Sequence, residues 1–379
     1  MNFLKNLFKK KIKKITVWNY LDELKSEKKE VLSAIKKVLD SGILILGDNV
    51  KEFENKFSKY CNSNYGIGVN SATDALFLTM RSFGLKKGDE VISVSNTAVP
   101  TISSIVAANG TPRFVDIDPN SYLMDVNKLE KSITKKTKGV IVVHLFGQCV
   151  DMDPVIEICK RRKIFLIEDC SQSHGAKYKN KIAGSMSDAS VFSFYPTKIL
   201  GGYGDAGMVV TNNKKINDNI KKLRFYGMEK TYYSKLEEGY NSRLDEMHAA
   251  ILINKLKHLD YYIERRRKIA KVYQSKLKDT SLILPCEKEY NKHSFYVYVV
   301  RHKKRDEILQ KLKEKNIFLN ISYPWPIHTM TGFKQFGFKE GDLPVTEKVA
   351  KEIFSLPMYP YFDLKKQLYF IETLKQILK

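Results

Sequence analysis

Cysteine is scarce and unpatterned in this chain. Cys61, Cys149, Cys159, Cys170 and Cys286 form no C-x-x-C pair and no metal-ligand spacing, so zinc and iron–sulfur sites are not expected, and an odd, scattered set fits a reducing, cytoplasmic compartment. No apolar run approaches the roughly 20 residues of a membrane-spanning helix, so stable membrane insertion is not expected. Internal repeats and low-complexity linkers are also missing. What remains is a globular reading for 379 residues, 43% of them apolar, enough for one large core or two domains.

The charge is one-sided, with 65 Lys and Arg against 42 Asp and Glu, a formal +23, but it is not clustered. Lysines lie on helix faces with acids interleaved, as in "KKEVLSAIKKVLD" and "DEILQKLKEKN", the pattern of a solvated surface. A nucleic-acid partner would need a basic patch and a recognition helix, and neither is found. Some positive potential around an acidic substrate is compatible with this surface.

The first fifteen residues, "MNFLKNLFKKKIKKI", hold six lysines and no uninterrupted apolar stretch, unlike a cleavable secretory signal. Phe3, Leu4, Leu7, Phe8, Ile12 and Ile15 share half of a helical wheel, with Lys11 and Lys14 in or beside the apolar arc. A frayed tail or a small flap on the body is expected, with weak attachment to an anionic membrane surface as the alternative.

Further on, strand and helix periods alternate: "YGIGVN", "TDALFLTMRSFG", "DEVISVS", "TISSIVAAN", "TPRFVDI", then "GVIVVHL", "DPVIEICKRR" and "KIFLIED". Short β-branched strands between amphipathic helices predict an α/β fold with a mainly parallel sheet covered on both faces. A long charged helix over residues 250–275 precedes an α+β rhythm ("HSFYVYVVR", "RDEILQKLKEKNI"). The division expected is a basic extension at 1–15, a large domain at 16–260 and a smaller C-terminal domain at 261–379.

Gly202, Gly204 and Gly207 are spaced G-x-G-x-x-G. A dinucleotide fingerprint needs a strand running into the first glycine, a helix opening at the last, and an acid about 20 residues on. Here "PTKIL" intervenes, "MVVT" reads as a strand, and the downstream segment is basic. The glycines are read as a turn between two strands.

Three other features carry chemistry. The apolar run "KIFLIEDCSQSHGA" ends in Glu168 and Asp169, at the strand terminus where open α/β sheets bind ligands; a helix or turn cap is the plainer reading of the acid. "GVNSATDAL" places a helix beginning near Thr73, whose free N–H groups, with a hydroxyl from Ser71 or Thr73, suit a phosphate, although an ordinary N-cap has the same pattern. Lys198 follows a strand carrying Ser193, then a proline and Thr197, and stands beside glycines that leave room for a ligand. A lysine, an acid and a phosphate cradle together suggest pyridoxal phosphate, with Lys198 bonded to its aldehyde and Asp169 keeping the pyridine nitrogen protonated.

With "SGILILGDNVKEFENKF", "GVNSATDAL", "GDEVISVSNTAVPTISSI", "VVHLFGQCVDMDPV", "IEDCSQSHGA", "FSFYPTKILGGYGDAG", "GYNSRLDEMHAA", "YPWPIH" and "SLPMYP" in order, the chain from about residue 16 resembles the DegT/DnrJ/EryC1/StrS sugar aminotransferases, which belong to the fold-type I pyridoxal-phosphate enzymes. The resemblance implies that Lys198 is the Schiff-base lysine and proton shuttle, that Asp169 pairs with the ring nitrogen and that Gln172 bonds the phenolic oxygen. It assigns the phosphate to Ala72, Thr73 and Ser193, with Asn241 reaching it from the partner of a homodimer with shared active sites. Tyr323 and His328 stand where family members approach the nucleotide sugar, a structural histidine being the other reading of His328.

Retention of the lysine, and the lack of a cysteine cluster, favour transamination over the dehydration of some relatives. Ala98 stands where many members place an aromatic over the ring. The "NTAVPT" form resembles the branch that aminates C3 of dTDP-3-keto-6-deoxyhexoses, with L-glutamate as the expected donor. Amination at C4 of a UDP- or dTDP-4-keto sugar is the alternative. A nicotinamide-dependent sugar dehydrogenase and a non-enzymatic nucleic-acid-binding regulator are the remote rivals. The destination of the amino sugar, lipopolysaccharide O-antigen, glycoprotein or small molecule, is left open by the sequence.

Overall fold

The computed structural model describes residues 14–379; the extension discussed above, apart from Lys14 and Ile15, lies outside the described residues. Its centre is a seven-stranded sheet of β1 (Tyr65–Val69), β2 (Glu90–Val94), β3 (Thr111–Val115), β4 (Thr137–Val143), β5 (Phe165–Asp169), β6 (Ala189–Ser193) and β7 (Gly207–Thr211). The spatial order is β1-β7-β6-β5-β4-β2-β3. Six strands run in one direction, five of them paired in parallel, and β7 alone is reversed, antiparallel to both its neighbours β1 and β6.

Period-2 alternation sorts the strand residues between two cores. Val140, Val142, Leu166, Phe192 and Met208 point into one, with Phe53 and Phe57 of the helix Asp48–Tyr60. Their neighbours Ile141, Ile167, Val191 and Val209 point into the other, against α1 (Ala72–Ser82) and α2 (Val99–Ala107). With both faces covered, every residue of β6 and β7 is buried, the serines and the threonine included.

The expected long helix over 250–275 is two helices, α3 (Glu246–Leu256) and α4 (Leu259–Leu277). His258, at φ −103° and ψ 0°, turns the chain between them. A third core joins α4 to the C-terminal helix Leu364–Leu378 and to the antiparallel strands Tyr298–Arg301 and Ile353–Leu356. Ile15 is buried in this core, and Ile15–Thr16 pairs in parallel with Ile317–Phe318. The start of the described chain is thus woven into its C-terminal part, which the linear division of the sequence did not contain.

Candidate active site

Three chain segments converge at the C-terminal ends of the parallel strands. β5 ends in Asp169, β6 ends in Ser193 and continues into the turn that carries Lys198, and α1 points its N-terminus at the same place. Together they line a cavity of about 250 Å³ that includes Ala72, Thr73, Asp169, Gln172, Ser193 and Lys198. Two larger hollows, of about 630 and 640 Å³, one beside Arg267 and the other between Lys29 and His258, contain none of these groups.

Successive residues of β5 face opposite ways, so Glu168 and Asp169 serve different surroundings. Glu168 accepts from His144, the Ser190 hydroxyl and the backbone N–H groups of Gly184 and Met186. Burial alone would push its carboxyl up, but those donors outweigh burial and hold it below the usual carboxylate range. His144, Glu168 and Cys170 cluster closely enough to suggest a metal site. The His144 and Glu168 atoms, however, are committed to hydrogen bonds, His144 Nδ1 accepting from Val150 N at 3.1 Å.

Asp169 faces the cavity. Its Oδ2 accepts from the Thr101 hydroxyl at 2.8 Å and its Oδ1 from Ser171 N at 3.1 Å. Thr101 lies 3.1 Å in turn from the Thr97 hydroxyl. Neither threonine was singled out from the sequence, although both stand in "NTAVPT". Ala98, between them, lines the cavity and caps α2 without a side-chain bond.

α1 begins at Ala72, one residue earlier than expected, and the Ser71 hydroxyl accepts from Asp74 N. Ser71 is therefore an ordinary N-cap, while the N–H groups of Ala72 and Thr73 have no intrahelical acceptor and face the cavity end. The close approach of this helix depends on Gly207. A Cβ there would lie 2.3 Å from the Ser71 carbonyl carbon and 2.5 Å from Ala72 N. The G-x-G-x-x-G stretch accordingly joins antiparallel strands β6 and β7 and opens no helix; the dinucleotide reading has no structural basis.

Lys198 sits in a turn closed by its own N–H to Tyr195 O at 2.8 Å. Its Nζ lies 4.8 Å from the centre of the Tyr296 ring. Behind it, His174 is fully buried among Phe57, Phe192 and Phe194. Burial first, then the Lys198 charge, lowers the His174 pKa to about 3 and keeps it neutral.

Gln172 is held on both sides: its Oε1 accepts from Phe146 N at 2.9 Å and its Nε2 donates to the Tyr323 hydroxyl at 2.5 Å. Tyr323 thus meets the site through Gln172. The Asn241 side chain is exposed and does not line this chain's cavity. Of the two readings of His328, the geometry supports the structural one. It is fully buried, with Nδ1 2.7 Å from the Ser95 hydroxyl and Nε2 3.0 Å from Glu347, so one ring nitrogen ties the segment at Ile327–Thr329 to the end of β2 and the other to the helix Pro344–Glu352.

The set fits pyridoxal phosphate in kind: an amine for the aldehyde, a carboxylate for the ring nitrogen, an amide for the phenolic oxygen, and a helix N-terminus with a serine for the phosphate.

The comparisons agree with this chemistry. The family model described as the DegT/DnrJ/EryC1/StrS aminotransferase family matches residues 25–375. The chain is 48% identical over 367 residues to dTDP-3-amino-3,4,6-trideoxy-alpha-D-glucose transaminase of Micromonospora megalomicea subsp. nigra, covering 96% of this chain and 98% of that protein. Its structure is similar to that of S. venezuelae DesV in complex with a ketimine intermediate, at a TM-score of 0.94, 34% identity, and coverage of 97% and 99% of the two chains. It also resembles ntda from Bacillus subtilis with bound cofactor PMP, at a TM-score of 0.92, 28% identity, and coverage of 98% and 86%.

Proposed function

The chain belongs to the DegT/DnrJ/EryC1/StrS aminotransferase family, and from that premise we propose that it moves an amino group from L-glutamate to C3 of a dTDP-linked 3-keto-6-deoxyhexose. It is a pyridoxal-phosphate-dependent aminotransferase. The observation that carries the reading is the convergence of Lys198, Asp169, Gln172 and the N-terminus of α1 on one cavity. The 3-amino sugar named in the Micromonospora transaminase supports C3 over C4.

In this reading Lys198 holds the cofactor and later carries a proton on Nζ. The bound cofactor supplies an electron-withdrawing ring that labilises a proton on the carbon bearing the transferred amine. Asp169, fixed by Thr101 and Ser171, accepts the ring N–H; Gln172 donates its remaining N–H to the phenolic oxygen. Ala72, Thr73 and Ser193 hold the phosphate, with Asn241 from the partner subunit. The division into residues 1–15, 16–260 and 261–379 is kept as a proposal, with Ile15 and Thr16 attached to the C-terminal part.

A homodimer is part of the proposal. Ile43, Leu44 and Ile45 are 46–52% exposed, and they lie near the segment of Asn241, since Ile45 bridges Asp245 and Glu246 N donates to Leu44 O. A contiguous apolar surface of this kind suits a second copy. No helix among the described residues is long and apolar enough to cross a membrane. The five free cysteines support a reducing, cytoplasmic setting.

The test is the visible absorbance of the purified protein with pyridoxal phosphate, before and after borohydride, followed by peptide mapping. A yellow band that bleaches, leaving the label on Lys198, is the expected result. Failure to gain a band, or a label elsewhere, overturns the site assignment. An assay with dTDP-3-keto and 4-keto sugars then decides between C3 and C4.

A further inference from the structure

We infer that Tyr296, given no role by the sequence, is a positioning residue that seats the Lys198 amine; its functional consequence rests on the role proposed for Lys198. Two contacts to consecutive residues carry the inference. The Lys198 Nζ stands 4.8 Å from the ring centre, inside the roughly 6 Å over which an ammonium is attracted to an aromatic face. The Tyr296 hydroxyl lies 3.0 Å from the Thr197 hydroxyl. Tyr296 therefore meets the end of the lysine with its ring and the side chain of the preceding residue with its hydroxyl.

Tyr296 is itself clamped. Its carbonyl accepts from Arg266 Nη1 at 2.9 Å, and the same nitrogen reaches Met358 O at 3.0 Å and Phe295 O at 3.3 Å. Arg266 is 1% exposed. A buried guanidinium on α4 thus aims one NH₂ group at three carbonyls, one of them belonging to the residue beneath Lys198. Phe295, immediately before, is at φ 50°, a left-handed conformation that the surrounding structure must enforce.

The choice of an aromatic face has a chemical reason. Among the described residues no carboxylate is in ion-pair contact with Lys198, and a carboxylate would hold the amine as ammonium. A π face attracts an amine more weakly than a full charge does, so the ring gives the amine a fixed place without an ion pair.

The experiment compares full-length, cofactor-stripped wild type, Tyr296→Leu and Tyr296→Phe. Each is acylated with limiting acetic anhydride near neutral pH, and labelling at Lys198 is measured by mass spectrometry relative to exposed Lys36. Loss of the ring in Tyr296→Leu should raise relative labelling about 3- to 10-fold, while Tyr296→Phe, which keeps the face, stays within about twofold of wild type. In the loaded enzyme Tyr296→Leu should lower kcat with little change in KM for the sugar, and Tyr296→Phe should restore most of it. Wild-type labelling in Tyr296→Leu, or equal increases in both variants, overturns the inference. Because the labelling needs no cofactor, its outcome is separate from borohydride mapping, which tests Lys198 as the cofactor-linked residue.

Discussion

The Gln172 amide nitrogen lies 2.5 Å from the Tyr323 hydroxyl oxygen, and the Phe146 N–H on its other side leaves the amide one orientation. A backbone N–H can face only the Gln172 carbonyl oxygen, so the NH₂ points to Tyr323 and has one hydrogen left for the cavity. Burial, its largest influence, pushes the Tyr323 hydroxyl pKa up, so the group stays protonated. Phe146 and Tyr323 both adopt φ of 62°, an uncommon conformation for residues with side chains and one concentrated at functional sites.

Removing the hydroxyl in Tyr323→Phe should therefore loosen Gln172 and weaken cofactor binding about 2- to 10-fold, the worth of one net hydrogen bond. Absorbance titration with pyridoxal phosphate measures it. If Tyr323 acts through Gln172, the double variant Tyr323→Phe/Gln172→Ala binds no more weakly than Gln172→Ala alone. Additive losses would give Tyr323 a separate contact.

Thr101 and Asp169 form the second pair with a direct consequence. Thr101→Val keeps the shape and deletes a 2.8 Å donor to a 4%-exposed carboxylate. Bonds to charged groups contribute about 1.5–3 kcal/mol, so the carboxylate facing the ring nitrogen should move or lose strength. A fall in kcat of roughly 10- to 100-fold is expected, with an altered visible spectrum of the bound cofactor. Thr101→Ser should recover most of both.

How far these features were legible in the sequence follows from their range along the chain. The sheet was readable because Val140, Ile141 and Val142 alternate between two cores within one short run, and Asp169 because an apolar strand ended abruptly in charge. Lys198 became readable only beside an acid and a helix start. Thr101 was hidden because hydroxyls in "NTAVPT" look like capping residues, and nothing local shows one aimed at a carboxylate 68 positions away. Tyr296 lies 99 positions from Thr197, so no spacing signals their contact. For His328 the motif gave the neighbourhood, but ring direction is set by Ser95 and Glu347, both remote in sequence. Ile15–Thr16, a strand of two residues, is too short for any period and exists through its pairing with Ile317–Phe318.

Glu168 makes the fold sensitive to acid. Its pKa lies below the ordinary glutamate value in the folded chain, burial opposing and the bonds from His144, Gly184 and Met186 prevailing. A depressed folded pKa means that the unfolded chain binds the proton more readily. The stabilisation is then complete above about pH 4.5 and declines as pH falls through the folded value. Glu168→Gln should be less stable near pH 7, having exchanged a charged acceptor for an amide, and should show a flatter fall between about pH 5 and pH 3. Urea midpoints at several pH values measure both; parallel curves for the two proteins would refute the assignment.

The glycines after Lys198 give a paired test of the phosphate cradle. Gly207→Ala places a methyl within 2.5 Å of backbone at Ser71 and Ala72, and backbone cannot swing away as a long side chain can. Relief requires α1 to shift from β7, which costs about 1–3 kcal/mol in a packed interior and carries the N–H groups of Ala72 and Thr73 with it. Gly202→Ala meets nothing nearer than 3.4 Å and should be tolerated. Cofactor affinity should thus fall at least about tenfold in Gly207→Ala and stay near wild type in Gly202→Ala. Inorganic phosphate should compete for the site in wild type and lose this ability in Gly207→Ala, which ties the loss to the anion site. Equal affinities in the two variants would mean that the helix N-terminus tolerates displacement and that the phosphate is held chiefly elsewhere.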